Sequence, residues 1–180
     1  MSQLKVFHQD NTNKVLQSSI DKNEIANILL TEGVIYRQWD TPVEIKSDAT
    51  ESEIIQAYQS QINKLKKEAG YQSVDTISLT PESSNKHELR KKFLAEHTHA
   101  EDEVRFFVKG KGLFSLHINH NVYEILCSQG DLISVPANTR HWFDMGPNPD
   151  FTAIRLFNNS DGWIAQYTDS NISEQFSRLT

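Results

Sequence analysis

The sequence predicts a mainly β fold, an antiparallel barrel or sandwich flanked by N-terminal helices. Three observations carry this expectation. After about residue 90, short β-prone runs alternate with turn signals at regular spacing, as hairpins of a closed β architecture do. Five of the seven glycines fall in that half (Gly110, Gly112, Gly130, Gly146 and Gly162), which makes it the turn-dense one. Before residue 90 the clearest pattern is helical, with a capping signal at its start and a glycine at its end.

In chain order, Leu4 to Phe7 reads as a short strand. Asp21 to Leu30 places Ile25, Ile28 and Leu29 on one helical face, with Ser19 or Asp21 as its cap and Gly33 as its stop. Val34 to Trp39 reads as a strand. Thr50 to Ala69 is the best helix: Thr50 and Glu53 fit a capping box, Ile54, Ile55, Tyr58 and Ile62 form a stripe, and Gly70 closes it. Val74 to Leu79 is a further strand, and Pro81 to Asn85 a turn-rich loop. The β half then gives Val104 to Val108, Leu113 to Ile118, Val122 to Leu126, Leu132 to Val135, His141 to Phe143 and Thr152 to Phe157.

With 180 residues the chain suffices for one domain with a sizeable core. The expectation is a single domain over 1–180, with an α+β part over about 1–90 packed on a barrel formed mainly by about 91–167. A net charge of −6 disfavours a nucleic-acid partner. No apolar run approaches the roughly 20 residues of a membrane helix. Met1 to Asp10 shows no secretory apolar stretch, and Cys127 is the one cysteine. These features together lead us to expect a cytoplasmic location.

The chemistry concentrates between Glu96 and Val108. Alternate residues of a strand share a side, so His97 and His99 present two imidazoles together. Glu103 has the same parity if the strand continues, and still converges if a turn intervenes. His141, on a later strand, is a fourth candidate. Three imidazoles and a carboxylate suit first-row metals and leave positions open on an octahedral ion, as a catalytic metal needs. Single histidines are usually packed or solvated side chains, and His8, His87, His117 and His120 are read that way.

These residues stand in the order of the two cupin motifs. His97, His99, Glu103 and Gly110 fit the first, although Lys91 replaces its leading glycine. Gly130, Pro136 and His141 fit the second, with Asn138 in place of a glycine and Met145 in place of an asparagine. Asn tolerates a left-handed turn better than most residues. The chain therefore resembles the cupins, which implies a double-stranded β-helix (jelly-roll) barrel. Within them, His97 to Val108, Gly110 to Phe114, Asp131 to Ala137, Arg140 to Asp144, Thr152 to Arg155 and Gly162 to Ala165 look like the acireductone dioxygenases of methionine salvage.

That resemblance implies one Fe(II) or Ni(II) per chain, held by His97, His99, Glu103 and His141. It implies 1,2-dihydroxy-3-keto-5-methylthiopentene and dioxygen as substrates. Iron would give 4-methylthio-2-oxobutanoate and formate; nickel would give 3-methylthiopropanoate, carbon monoxide and formate. Arg105 shares the parity of Glu103, and the family assigns its match to forming the substrate dianion; an ion pair with Glu101 is the structural alternative. Glu96 and Asp102 match acids assigned to metal incorporation and conformational transmission, for which hydrogen bonds to the imidazoles are the physical counterpart. Phe93, Phe106, Phe107, Phe143 and Trp163 are candidate walls for the methylthio tail, with core packing as the ordinary role of each. Strand parity favours Phe107, the resemblance Phe106. Arg155 either assists the substrate or pairs with an acid.

A monomer is the family expectation. The competing readings are another metallocupin, such as a sugar-phosphate isomerase or a different dioxygenase, and a non-catalytic binding cupin. The full ligand set argues against the last.

Overall fold

The computed structural model describes every residue except Ser160 and Gly162, so the expected turn glycine at Gly162 lies outside the described residues. The β-rich expectation holds. Twelve strands are described, and they form two antiparallel sheets. They are β1 (Gln3–His8), β2 (Asn11–Ser19), β3 (Ile35–Gln38), β4 (Ser73–Leu79), β5 (His97–Thr98) and β6 (Glu103–Lys109). Then come β7 (Lys111–Ile118), β8 (Asn121–Ser128), β9 (Asp131–Val135), β10 (Arg140–Asp144), β11 (Phe151–Phe157) and β12 (Gln166–Tyr167). One sheet runs β12-β5-β10-β7-β8-β1-β2 and the other β3-β9-β6-β11-β4.

Strand alternation sorts the side chains between the sheets and their outer faces. The interior cluster takes Leu4 and Val6 from β1, Phe107 from β6, Phe114 and Leu116 from β7, Ile133 from β9, Phe143 from β10 and Ala153 from β11. A second cluster takes the other faces of β6 and β11 (Val104, Phe106, Val108, Ile154, Leu156) against Ile54, Tyr58, Ile62 and Leu65 of the helical segment.

The turns carry the backbone strain that the sequence anticipates. Asn119 and His120 both adopt positive φ in the β7–β8 hairpin. Asn138 stands at φ 62°, so the motif glycine's conformation is kept without the glycine. Gly110, at φ 70°, passes so close to the backbone of Asp150 that any Cβ would overlap the Asp150 carbonyl oxygen.

The first helix meets expectation, and the helical part differs from it at Tyr58 and in one further element. Helix α1 (Lys22–Leu30) takes Asp21 as its cap, whose side chain accepts from the amides of Asn23 and Glu24. The expected helix over 50–69 begins at the Thr50–Glu53 capping box and ends at left-handed Gly70, but Tyr58 divides it into α2 (Glu51–Ala57) and α3 (Gln59–Ala69). Tyr58 leaves helical geometry (φ −110°, ψ 19°), is fully buried, and donates its hydroxyl to the Val43 carbonyl at 2.7 Å. Tertiary anchoring of one aromatic outweighs the unbroken apolar stripe there.

A further helix, α4 (Lys86–Leu94), had no clear sequence signal, because it is mostly charged, with Leu89, Phe93 and Leu94 as its apolar residues, and none of its residues is fully buried. Arg90 fixes it, donating from Nε and Nη2 to the two oxygens of buried Asp144 on β10 at 2.8 and 3.0 Å. That fork sets Phe93 against Phe143, ring centroids 6.2 Å apart.

Candidate metal centre

His97 and His99 bracket the end of the two-residue strand β5, and His141 pairs with His97 across the β10–β5 ladder. The three rings therefore meet inside the fold, with ligand atoms within 4.8 Å of one another and with exposures of 4%, 6% and 1%. Glu103 does not continue β5. A turn at residues 100–102 intervenes, and Glu103 opens β6 in the facing sheet. Its Oε2 lies 3.6 Å from His99 Nε2 and 3.4 Å from His141 Nε2.

Each imidazole is oriented through Nδ1. His97 donates to the Ala95 carbonyl at 2.7 Å, His99 to the Ile164 carbonyl at 3.1 Å, and His141 to the Thr139 carbonyl at 2.8 Å. A carbonyl can only accept, so the proton sits on Nδ1 and each Nε2 keeps its lone pair. Burial and the neighbouring His141 push His97 down to about 3, and burial lowers His99 as well. Burial would raise Glu103, but the Arg105 guanidinium holds its carboxyl well below the usual range. His97 and His99 are thus held neutral beside one carboxylate, with every Nε2 free to donate its lone pair, as binding of a divalent cation requires.

Two of these atoms lack partners. Glu103 Oε2 and His141 Nε2 are buried and make no hydrogen bond among the described residues. Such orphans are costly unless something else satisfies them. Arg105, also 2% exposed, donates from Nε to Glu103 Oε1 at 2.7 Å and leaves Nη1 buried without a partner. Its guanidinium lies 5.0 Å from the Phe114 ring centroid and 4.9 Å from that of Phe143, a cation held between aromatic faces. Glu101 instead accepts from Asn158 and Asn159.

The remaining candidates divide by position. Phe143 and Phe107 lie in the interior cluster, and Phe93 packs against it. Phe106 turns to the opposite face, edge-on to Trp39 and Tyr58. Parity decides this: Glu103, Arg105 and Phe107 alternate with Val104, Phe106 and Val108. Trp163 is 54% exposed, outside the aromatic interior. Arg155 is forked onto Asp75 at 2.9 and 2.7 Å.

Glu96 and Asp102 do not reach the imidazoles, contrary to the hydrogen bonding expected of them. Glu96 sits on the opposite face of the chain from His97 and accepts from His117 and Thr168. Asp102 accepts the Ala137 amide at 2.8 Å, bracing the turn that carries the Thr139 carbonyl. Backbone carbonyls do the orienting instead, which no side-chain motif could announce. Phe114, stacked 5.4 Å from His141, was equally silent, since its run on β7 reads as ordinary core.

The ARD/ARD' family model matches residues 3–165. An acireductone dioxygenase of Alcanivorax borkumensis is 55% identical over 178 residues, covering 99% of this chain and 98% of that protein. One from Synechococcus sp. is 49% identical over 180 residues, covering 99% of each. Among solved structures, the acireductone dioxygenase from Bacillus anthracis with a cadmium ion in its active centre superposes with a TM-score of 0.81 at 31% identity, covering 93% of this chain and 98% of that one.

Proposed function

Starting from the fact that this chain belongs to the acireductone dioxygenase family, we propose that His97, His99, Glu103 and His141 hold one divalent metal ion and that acireductone cleavage takes place beside it. The chain is a metal-dependent dioxygenase of the cupin fold, and its substrates are a small acireductone and dioxygen. The observation that carries the site assignment is the pair of buried, unpartnered atoms Glu103 Oε2 and His141 Nε2. A cation at this position would satisfy both, and three Nε2 lone pairs with one carboxylate are a donor set that iron, nickel, manganese or zinc accepts.

When bound, the ion supplies a Lewis acid and a template for an anionic, chelating substrate. The protein supplies the rest. Carbonyls on three Nδ1–H groups keep the imidazoles aimed before any ligand arrives. Glu103, anchored by Arg105, stays ionised. Arg105 offers Nη1 to a deprotonated enediol oxygen, and its permanent charge favours the dianion over the neutral enediol. Phe114 and Phe143 exclude water around that cation, which strengthens the attraction. Phe93, on α4, adds an apolar wall for the methylthio tail.

The finer reading follows the family. Fe(II) would direct cleavage to 4-methylthio-2-oxobutanoate and formate, serving methionine salvage, and Ni(II) to 3-methylthiopropanoate, carbon monoxide and formate. No helix among the described residues is long and apolar enough to cross a membrane. We read the enzyme as a cytoplasmic monomer of one domain.

The test is a paired reconstitution: metal-free protein is reloaded separately with Fe(II) and Ni(II), and the products of acireductone and oxygen are analysed. Keto acid with iron and carbon monoxide with nickel are expected. Stoichiometric metal binding without acireductone turnover would overturn the substrate assignment.

A further inference from the structure

His117 is a buried histidine that the catalytic reading leaves unused. It lies on β7, on the face opposite Leu116, and is 6% exposed. Its Nδ1 donates to Glu96 Oε2 at 2.7 Å, and its Nε2 lies 2.8 Å from Gln9 Oε1. The other Glu96 oxygen accepts from the Thr168 hydroxyl at 2.7 Å, and the Glu96 carbonyl accepts the Thr168 amide at 3.1 Å. Glu96 is 1% exposed, so the three side chains form a closed polar chain from β7 through the residue before β5 to the residue after β12.

The far end of that chain matters to the metal centre. Thr168 directly follows β12, whose Tyr167 pairs with His97 in register and sets its ring 5.9 Å from the His97 ring. Four residues before Thr168, Ile164 supplies the carbonyl that orients His99. The strand β12 is two residues long and both are exposed, so ladder pairing alone holds it weakly. What fixes the 164–168 segment to the cluster is the double attachment of Thr168 to Glu96, and what fixes the Glu96 carboxylate is His117.

Resting on the metal site proposed above, we infer that His117 is a positioning residue: through Glu96 and Thr168 it latches the 164–168 segment so that the Ile164 carbonyl stays on His99 Nδ1. With the latch broken, His99 loses its aim and the ion escapes sooner, although no ligand is missing.

The experiment loads the full-length protein and its variants with Co(II), records the visible d–d spectrum, and follows release to excess chelator. The parent should take up one ion per chain. His117→Leu and Thr168→Val should bind the same stoichiometry, keep the far-UV spectrum of a folded protein, shift the d–d bands, and release metal about 10- to 100-fold faster. His117→Asn places an amide nitrogen where Nδ1 stood and should restore slow release and the parent spectrum. Should His117→Leu fail to fold, Thr168→Val reads the same latch from its other end. Parent-like release from Thr168→Val, or His117→Asn releasing as fast as His117→Leu, overturns the latch while leaving the metal site standing. A parent that binds no Co(II) removes the site and the latch with it.

Discussion

Arg105 Nε donates to Glu103 Oε1 at 2.7 Å, and these two side chains, alternate residues on β6, are each 2% exposed. The guanidinium thereby serves two ends: it holds the carboxylate ionised through one nitrogen and keeps Nη1 uncommitted. Arg105→Gln should lower kcat/KM by about 100-fold or more, the scale of losing one aimed donor in a dry site, while metal content stays near one ion per chain. Arg105→Lys should fall short of rescue, since an ammonium cannot make the fork. Steady-state kinetics beside metal analysis checks both; wild-type kcat/KM in Arg105→Gln would exclude a role in substrate binding.

Removing an imidazole should act differently. His97→Ala or His141→Ala is expected to abolish metal binding and turnover together, because three remaining donors include the orphaned Glu103 Oε2 with fewer partners to share a cation. A variant that keeps full metal content and full rate would remove that histidine from the ligand set.

The pH dependence of the metal-free protein has a definite sign. Folded His97 is pushed down to about 3, by burial first and by His141 next, whereas an unfolded chain protonates it near 6.5. Between these values the unfolded state holds more protons, so stability is complete above about pH 6.5 and falls as pH drops toward 3. His99 acts in the same direction, and the depressed Glu103 adds its loss below the ordinary carboxylate range. Urea midpoints at pH 7 and pH 5 should show the decline, by up to about tenfold per pH unit in the folding equilibrium for each such histidine, and His97→Gln should flatten it. An equal decline in the variant would clear His97 of the effect.

Much of this site was legible because its information is local. The spacing of His97, His99 and Glu103, the turn tolerance of Asn138 and the Thr50–Glu53 capping box are all readable within a few residues. The features that escaped are those created by distant contacts or carried by the backbone. Strand β2 is polar and almost wholly exposed, so its place is set by pairing with β1 and not by any apolar alternation of its own. Helix α4 owes its position to Arg90 and Asp144, 54 residues apart. The carbonyls of Ala95, Thr139 and Ile164 carry no side-chain signature at all, and Glu96, beside a histidine in sequence, faces His117 in space.

The two neighbouring phenylalanines of β6 give the sharpest test of the pocket, because one position of parity separates them. Phe107 shares the face of Glu103 and Arg105 and packs with Phe143 and Phe151, whereas Phe106 packs under α2 and α3 with Trp39 and Tyr58. Both are buried, so both truncations cost stability, and Phe→Leu, which keeps most of the volume, should cost each about 1–2 kcal/mol. Catalysis should separate what stability does not. Phe107→Leu reshapes the aromatic layer around the Arg105 guanidinium and should raise KM for acireductone severalfold, whereas Phe106→Leu should leave KM unchanged at temperatures where both variants are folded. Measured KM values paired with thermal midpoints decide the matter. An effect on KM confined to Phe106→Leu would mean that the substrate binds on the helical side of β6, away from Arg105 Nη1, and the dianion role assigned to that nitrogen would have to be given up.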